Sequence, residues 1–399
     1  MPSSAPLHPG RPSFAPRLRR SLAAVLLAAP LAVTACGGGS GEAGERRAAR
    51  TERAERTAPR PFTLVATGDL LVHDSVILQA QRDAGGTGHD FGPMLAGAAD
   101  LVKGADLALC HMETVYGAEG GPFTGYPAFQ TPPEIARAVR GLGYDGCSTA
   151  SNHTLDAGTE GVARTLDAMD RAGLAHAGSA RTQAERDTPV LLEAGGARIA
   201  HLAYTYGTNG IPVPEGKPWL VNLMEPAQIV ADARAARASG ADLVIVSLHW
   251  GTEWQEEPDA TQLALAEELT ASAEGGRRDI DLILGTHAHV PQAYEKVNGT
   301  WVVYGMGDQV AGEMTDPRGQ LGSAARFTFA PPKERGGAWT VRKAEFVPHA
   351  VDNDPIQVVN LPRALEGEPG QERWREALDA ISSAVLSRGG AEDGLTMGR

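Results

Sequence analysis

Histidines, carboxylates and one asparagine recur at one kind of place in this chain, directly after short apolar runs. ATGDLLVHD puts Asp69 after the first such run, with His73 close behind. ALCHMET supplies His111 and Glu113, and TASNHTLDAG supplies Asn152, His153 and Asp156. SLHWG contributes His249, and GTHAH contributes His287 and His289. Each of these types either ligates a divalent cation or moves a proton. Singly, each has an ordinary explanation. A Gly-Asp pair after a strand commonly makes a turn. A lone histidine commonly satisfies one hydrogen bond, and the two side chains of His-x-His project to opposite sides of an extended backbone unless it bends. Glu113 is harder to dismiss, because a carboxylate ending an apolar strand must be paired, liganded or solvated. Taken together, the recurrence points to a metal centre assembled from several loops. Two cations about 3.5–4 Å apart clamp the attacking and leaving oxygens of a displacement and lower the pKa of a bound water. A mixed nitrogen and oxygen donor set suits Mn, Fe or Zn better than Mg or Ca.

Such residues meet only if the backbone gathers the ends of these runs. From Pro61 onward, apolar runs alternate with stretches of helical periodicity. Residues 62–69, 106–113, 144–149, 197–206, 242–251 and 281–289 read as strands. Residues 93–104, 133–142, 161–173, 226–239 and about 260–273 read as helices, the third stopped by Gly173. Residues 293–305 form a hairpin turning on Asn298-Gly299. Two later strands (324–330 and 338–346) and a helix over about 371–387 follow. Strands alternating with helices predict an α/β fold with buried strands, and the late hairpins add antiparallel edges. In such sheets the chemistry gathers at the C-terminal ends of the strands.

The chain has 399 residues and a formal charge of −13. Residues 1–35 hold four arginines and no acid, so the remainder carries 32 basic against 49 acidic residues, or −17. That surface repels nucleic acid and anionic headgroups, so no nucleic-acid partner is expected. RLRR (17–20) followed by SLAAVLLAAPLAVTA (21–35) has the form of an export leader, too short to span a bilayer comfortably. It ends at Val33-Thr34-Ala35-Cys36, which resembles a bacterial lipobox. On that reading residues 1–36 form the leader, and Cys36 is lipidated and anchors the chain at the extracytoplasmic face of the membrane. Arg19-Arg20-Ser21-Leu22 faintly resembles a twin-arginine signal, and the export route stays open. The glycine-rich, charged stretch 37–60 reads as a tether, 61–350 as the folded domain, and 351–399 as a C-terminal extension with a helix. Cys110 and Cys147 sit in apolar runs, where core packing is the plain reading. A disulfide between them stays open, since spacing cannot supply its geometry.

The ordered set GDLLVHD, HMET, ASNHTLDAG, LHWGTEW, GTHAHVPQ and VYGMGDQ, over about 240 residues, resembles the CapA family, named for poly-γ-glutamate capsule synthesis. That family is similar to calcineurin-like metallophosphoesterases and 5′-nucleotidases. The resemblance covers roughly 62–310 and implies a four-layer α/β/β/α sandwich of the metallophosphatase type with a dinuclear metal site. It implies Asp69 and His289 on one metal, His249 and His287 on the other, Glu113 between them, and Asn152 as a further metal ligand. It implies a catalytic His153–Asp156 dyad. It also implies either a metal-dependent hydrolase of the phosphoesterase kind or a non-catalytic subunit beside a membrane-bound polyglutamate synthase. Hydrolysis of γ-glutamyl amide bonds fits a two-metal site as well. Three positions depart from the pattern. Leu71 stands where phosphoesterases carry the histidine of Asp-x-His, with His73 or His111 as substitutes. His111 stands where the capsule family has asparagine. Met306-Gly307-Asp308 replaces Leu-Gly-Asn. Phe123, Tyr126, Phe129 and Trp219, in long loops, are candidates to line a substrate groove, and Arg137, Arg140 and Lys217 are candidate anion contacts.

Overall fold

The computed structural model describes residues 58–334 and 336–399. The expected leader, Cys36 and most of the tether lie outside the described residues. Among the described residues no helix is long and apolar enough to cross a membrane.

Strands β1 (Phe62–Leu70), β2 (Leu107–Met112), β3 (Gly146–Ser148) and β4 (Ala175–Ala177) lie parallel, side by side. β5 (Val190–Ala194) and β6 (Ala197–Thr205) form a hairpin that opens a second sheet, and β7 (Leu243–His249) lies parallel to β6. A short ribbon of β8 (Ala273–Glu274) and β9 (Arg277–Arg278) precedes β10 (Leu282–Thr286), which lies parallel to β7. β11 (Tyr294–Val297) and β12 (Thr300–Val303) complete this sheet in the order β11-β12-β10-β7-β6-β5. Their turn has Asn298 and Gly299 both at positive φ, as the tight hairpin requires. The chain then returns to the first sheet as β13 (Asp308–Val310), β14 (Leu321–Ala330), β15 (Thr340–Asn353), β16 (Ile356–Asn360) and β17 (Leu395–Met397). The first sheet runs β16-β15-β14-β1-β2-β3-β4, with β13 also paired to β1 and β17 to β15.

Why two sheets stack is visible in the alternation of each strand. On β7, Leu243 and Ile245 face the core between the sheets, while Val244, Val246 and Leu248 face helices Pro226–Ala238 and Ala260–Ala271. On β2, Leu107 and Leu109 face the inter-sheet core, while Ala108, Cys110 and Met112 face helices Glu134–Leu142 and Gly158–Ala172. Side chains of a strand alternate between faces, so a strand apolar on both must be covered twice. The outcome is helix, sheet, sheet, helix: the expected four-layer sandwich of the metallophosphatase type.

One boundary of the sequence reading falls elsewhere in the structure. The division after residue 350 falls inside β15, because the late apolar runs are longer than their composition suggests. Residues 351–399 are integral to the fold. Leu361, Ile381, Val385 and Leu395 belong to the inter-sheet core, and β17 pairs with β15. The two cysteines face each other in register on β2 and β3, with Cα atoms 4.4 Å apart, and form a disulfide.

Candidate metal centre

The parallel strands deliver their chemistry at one edge. Asp69 ends β1, Glu113 follows β2, Asn152 and His153 follow β3, His249 ends β7, and His287 and His289 follow β10. Gly68 makes the first of these possible. A Cβ there would stand 1.8 Å from the Gly307 carbonyl oxygen, so only glycine lets the 304–308 segment close onto β1. That closure pairs Asp69 with Asp308 across β1 and β13. His287 and His289 both adopt positive φ, 93° and 56°. This is the bend that lets alternate residues aim at one place, and a non-glycine backbone held there marks a position fixed by its surroundings.

Three sets of ligand atoms cluster within 4.8 Å: Asp69, His111 and His249; Glu113, His287 and His289; and Asp69, His289 and Asp308. His111 Nε2 lies 3.7 Å from Asp69 Oδ1, and His249 Nε2 lies 3.8 Å from Glu113 Oε1 and 3.0 Å from Asn152 Oδ1. His289 Nδ1 lies 2.9 Å from Asp308 Oδ1 and 3.5 Å from Asp69 Oδ2. Ser148 Oγ, 2.7 Å from His111 Nδ1, and Thr286 Oγ1, 3.2 Å from His249 Nδ1, hold those rings from behind. All six expected ligands are therefore brought together. His111 and Asp308 join them as two more, and His73 does not, lining a cavity beside the cluster instead. Asp308 was visible in the sequence as a second Gly-Asp after an apolar run, like Gly68-Asp69.

The electrostatics explain what this arrangement needs. Burial pushes the Asp69 carboxyl up to about 8. Burial also raises Glu113 well above the usual range, with Asp69 and Asp308 adding to it. Burial lowers His111 and His287 to about 3 and His249 well below its ordinary value, so the rings are held neutral, as ligands must be. Burial alone would lower His289 too, but Asp308, Glu113 and Asp69 together raise it. Asp69 Oδ1, both Glu113 oxygens, Asp308 Oδ2, His111 Nε2 and His287 Nδ1 are buried without a hydrogen-bond partner. Native interiors leave few such atoms. Six converging at one point, two imidazole nitrogens among four oxygens of three carboxylates, fit a divalent cation cluster.

His153 stands outside the three sets. Its Nδ1 lies 2.7 Å from Asp156 Oδ2, which also accepts the Phe129 backbone N–H at 2.8 Å. The dyad is thus tied to the loop carrying Tyr126 and Phe129. Both aromatics, with Trp254, His73, His153 and His289, line a cavity of about 460 Å³ beside the ligands. Trp219 lines a different cavity, Phe123 packs against Gly117 and His89, and Arg140 pairs with Asp145. Arg137 and Lys217 line neither the metal cluster nor its cavity.

Residues 63–313 match the family described as bacterial capsule synthesis protein PGA_cap. The chain belongs to that family. Among PGA_cap relatives, the Bacillus anthracis capsule biosynthesis protein CapA is 28% identical over 180 residues, 44% of this chain and 42% of that protein. A Mycobacterium tuberculosis protein described as "Probable polyglutamine synthesis accessory protein" is 28% identical over 216 residues, 51% of this chain and 55% of that protein. The chain thus spans about half the length of the curated relatives it matches. A calcineurin-like phosphoesterase of Bacillus subtilis superposes with a TM-score of 0.45 at 16% identity, covering 73% of this chain and 91% of that one.

Proposed function

We propose that this chain is a metal-dependent hydrolase of the phosphoesterase type that serves poly-γ-glutamate capsule or cell-envelope polymer biosynthesis. The observation that carries the reading is the convergence of partnerless buried donor atoms from Asp69, His111, Glu113, His287 and Asp308. Asp69, Glu113, Asn152, His249, His287 and His289 would hold the cations, with His111 and Asp308 completing the set. Held there, Mn, Fe or Zn would supply Lewis-acid polarisation of the scissile group and a lowered pKa for water. His153, aligned by Asp156, is placed to donate to oxygen as negative charge develops on it. Tyr126, Phe129 and Trp254 offer a wall for the substrate next to those groups.

On this reading Cys36 carries the lipid that holds the domain at the extracytoplasmic membrane face, beside a polyglutamate synthase complex. A second reading has the chain as a non-catalytic accessory subunit, and the description of the Mycobacterium tuberculosis relative as an accessory protein favours it. Metal content by elemental mass spectrometry separates the two. The purified chain should carry roughly one to two equivalents of Mn, Fe or Zn, lost in a His287→Ala/His289→Ala double variant, and should hydrolyse simple phosphoesters. A chain that takes up none of these ions after incubation with each sinks the hydrolase reading and leaves the accessory one.

A further inference from the structure

A second cavity, of about 400 Å³, opens where β4 meets the β5–β6 hairpin. None of its lining residues belongs to the metal cluster or to the cavity beside it. It contains a second Asp–His pair. Asp170 Oδ1 lies 3.1 Å from His176 Nε2, and the His176 side chain is only 10% exposed. A carboxylate accepts here, so Nε2 carries the proton, and in the neutral ring Nδ1 is left as an acceptor. That Nδ1 is buried without a partner. Asn222 repeats the arrangement. Its Nδ2 donates to the Ala203 carbonyl at 3.1 Å, which fixes the amide, and its Oδ1 is a buried acceptor without a partner.

The surroundings select what can donate to these two atoms. Three carboxylates line the cavity, from Asp170, Glu185 and Asp232, against the single guanidinium of Arg186. Arg181, outside the lining, pairs with Asp170 and Glu185, and Asp232 takes Arg186 and the Tyr204 hydroxyl. The field is negative and the free hydrogen-bonding positions are acceptors. An anion is repelled. A primary ammonium group brings three donors, no acceptor and a positive charge. We infer that this cavity binds a small primary ammonium compound, with N–H groups donated to His176 Nδ1 and Asn222 Oδ1. Its volume holds a ligand of about ten heavy atoms.

Calorimetric titration of the purified full-length chain with putrescine tests this, against butane-1,4-diol, which matches its length without charge, and succinate, which reverses the charge. Putrescine should bind saturably at one site in roughly the submillimolar range, the diol about tenfold more weakly or not at all, and succinate not at all. His176→Phe and Asn222→Leu should each weaken putrescine about tenfold. Thermal unfolding of each variant confirms that it is folded. Metal content and phosphoester hydrolysis should not change. A cavity that holds only water gives no saturable heat and overturns the inference, as does undiminished affinity in both weakened variants.

Discussion

Carboxylates stand at both ends of the strands in this fold, and the two ends treat them in opposite ways. Asp106, Asp145, Asp242 and Asp281 each precede a parallel strand. Their carboxylates accept the backbone N–H of Thr63, Ala108, Arg198 and Val244 at 2.7–2.9 Å. Their own N–H groups donate back to the carbonyls of the same residues. Arg60, Arg140 and Arg237 neutralise three of them. At the C-terminal ends, Asp69, Glu113 and Asp308 are buried more deeply, and among the described residues only histidines pair with them. The same chemical group is thus satisfied by the chain itself at one edge. At the other it is left for a cation that the chain gathers ligands to receive.

Substituting one carboxylate at each edge should break this contrast most sharply. Asp69 serves two of the three ligand sets, so Asp69→Asn should strip the metal and lower phosphoester turnover by about 10³-fold or more. The metal-free protein should respond the other way. With burial raising Asp69 so far, Asp69→Asn should increase its unfolding free energy at pH 8 by about 1–2 kcal/mol in urea titrations. Asp281→Ala should destabilise by about 3 kcal/mol with or without metal, because it leaves Arg237 and the Val244 N–H without their partner. A destabilised metal-free Asp69→Asn would mean that both edges are built alike.

Much of the site was legible because parallel strands are apolar on both faces and end abruptly in polar residues. Asp69, Glu113, Asn152, His249, His287 and His289 all announced themselves that way, and they meet. Asp308 carried the same signal, a Gly-Asp after the apolar run 301–304, but it stood out only as a departure from the family pattern, because β13 spans just Asp308–Val310. Its place depends on Gly68 and Gly307 letting two backbones touch, a contact between positions far apart in sequence. His111 was legible as one of two candidate substitutes for the histidine missing at Leu71, with His73 as the other. Its role depends on the β1–β2 register, which sets it opposite Asp69. The satisfied aspartates of the other edge share a simple pattern, Asp just before each apolar run, but such residues read as turns until their reciprocal bonds are seen. The fold boundary at 350 failed for a related reason. The buried stretch 344–351 of β15 includes Glu345, Pro348 and His349, so it does not read as one apolar run.

The dyad sharpens the comparison, because His153 is partnered by Asp156 although it stands at the edge of the ligand cluster. His153→Ala should lower turnover about 100-fold while leaving metal content unchanged, measured on the same preparations. Metal loss in this variant would place His153 among the ligands.

A buried histidine away from both edges gives the smallest effect and the cleanest sign. His201, in mid-β6, is 1% exposed, with Nε2 2.9 Å from Ser247 Oγ. Burial lowers it from 6.5 to about 4. Between those values the unfolded chain binds the proton and the folded chain does not. The stability this group contributes is therefore present above pH 6.5 and is lost as pH falls toward 4, about 2 kcal/mol of it by pH 5. His201→Gln cannot protonate, so the variant should lose about 2 kcal/mol less than the parent between pH 7 and pH 5 in urea unfolding. The difference should be the same with metal bound or removed, since a hydroxyl rather than a cation satisfies this ring. The histidines of the cluster should behave otherwise, their acid sensitivity changing with metal. Were the His201 difference also to change with metal, the hydroxyl-satisfied interior and the cation-requiring edge would be one coupled system rather than two.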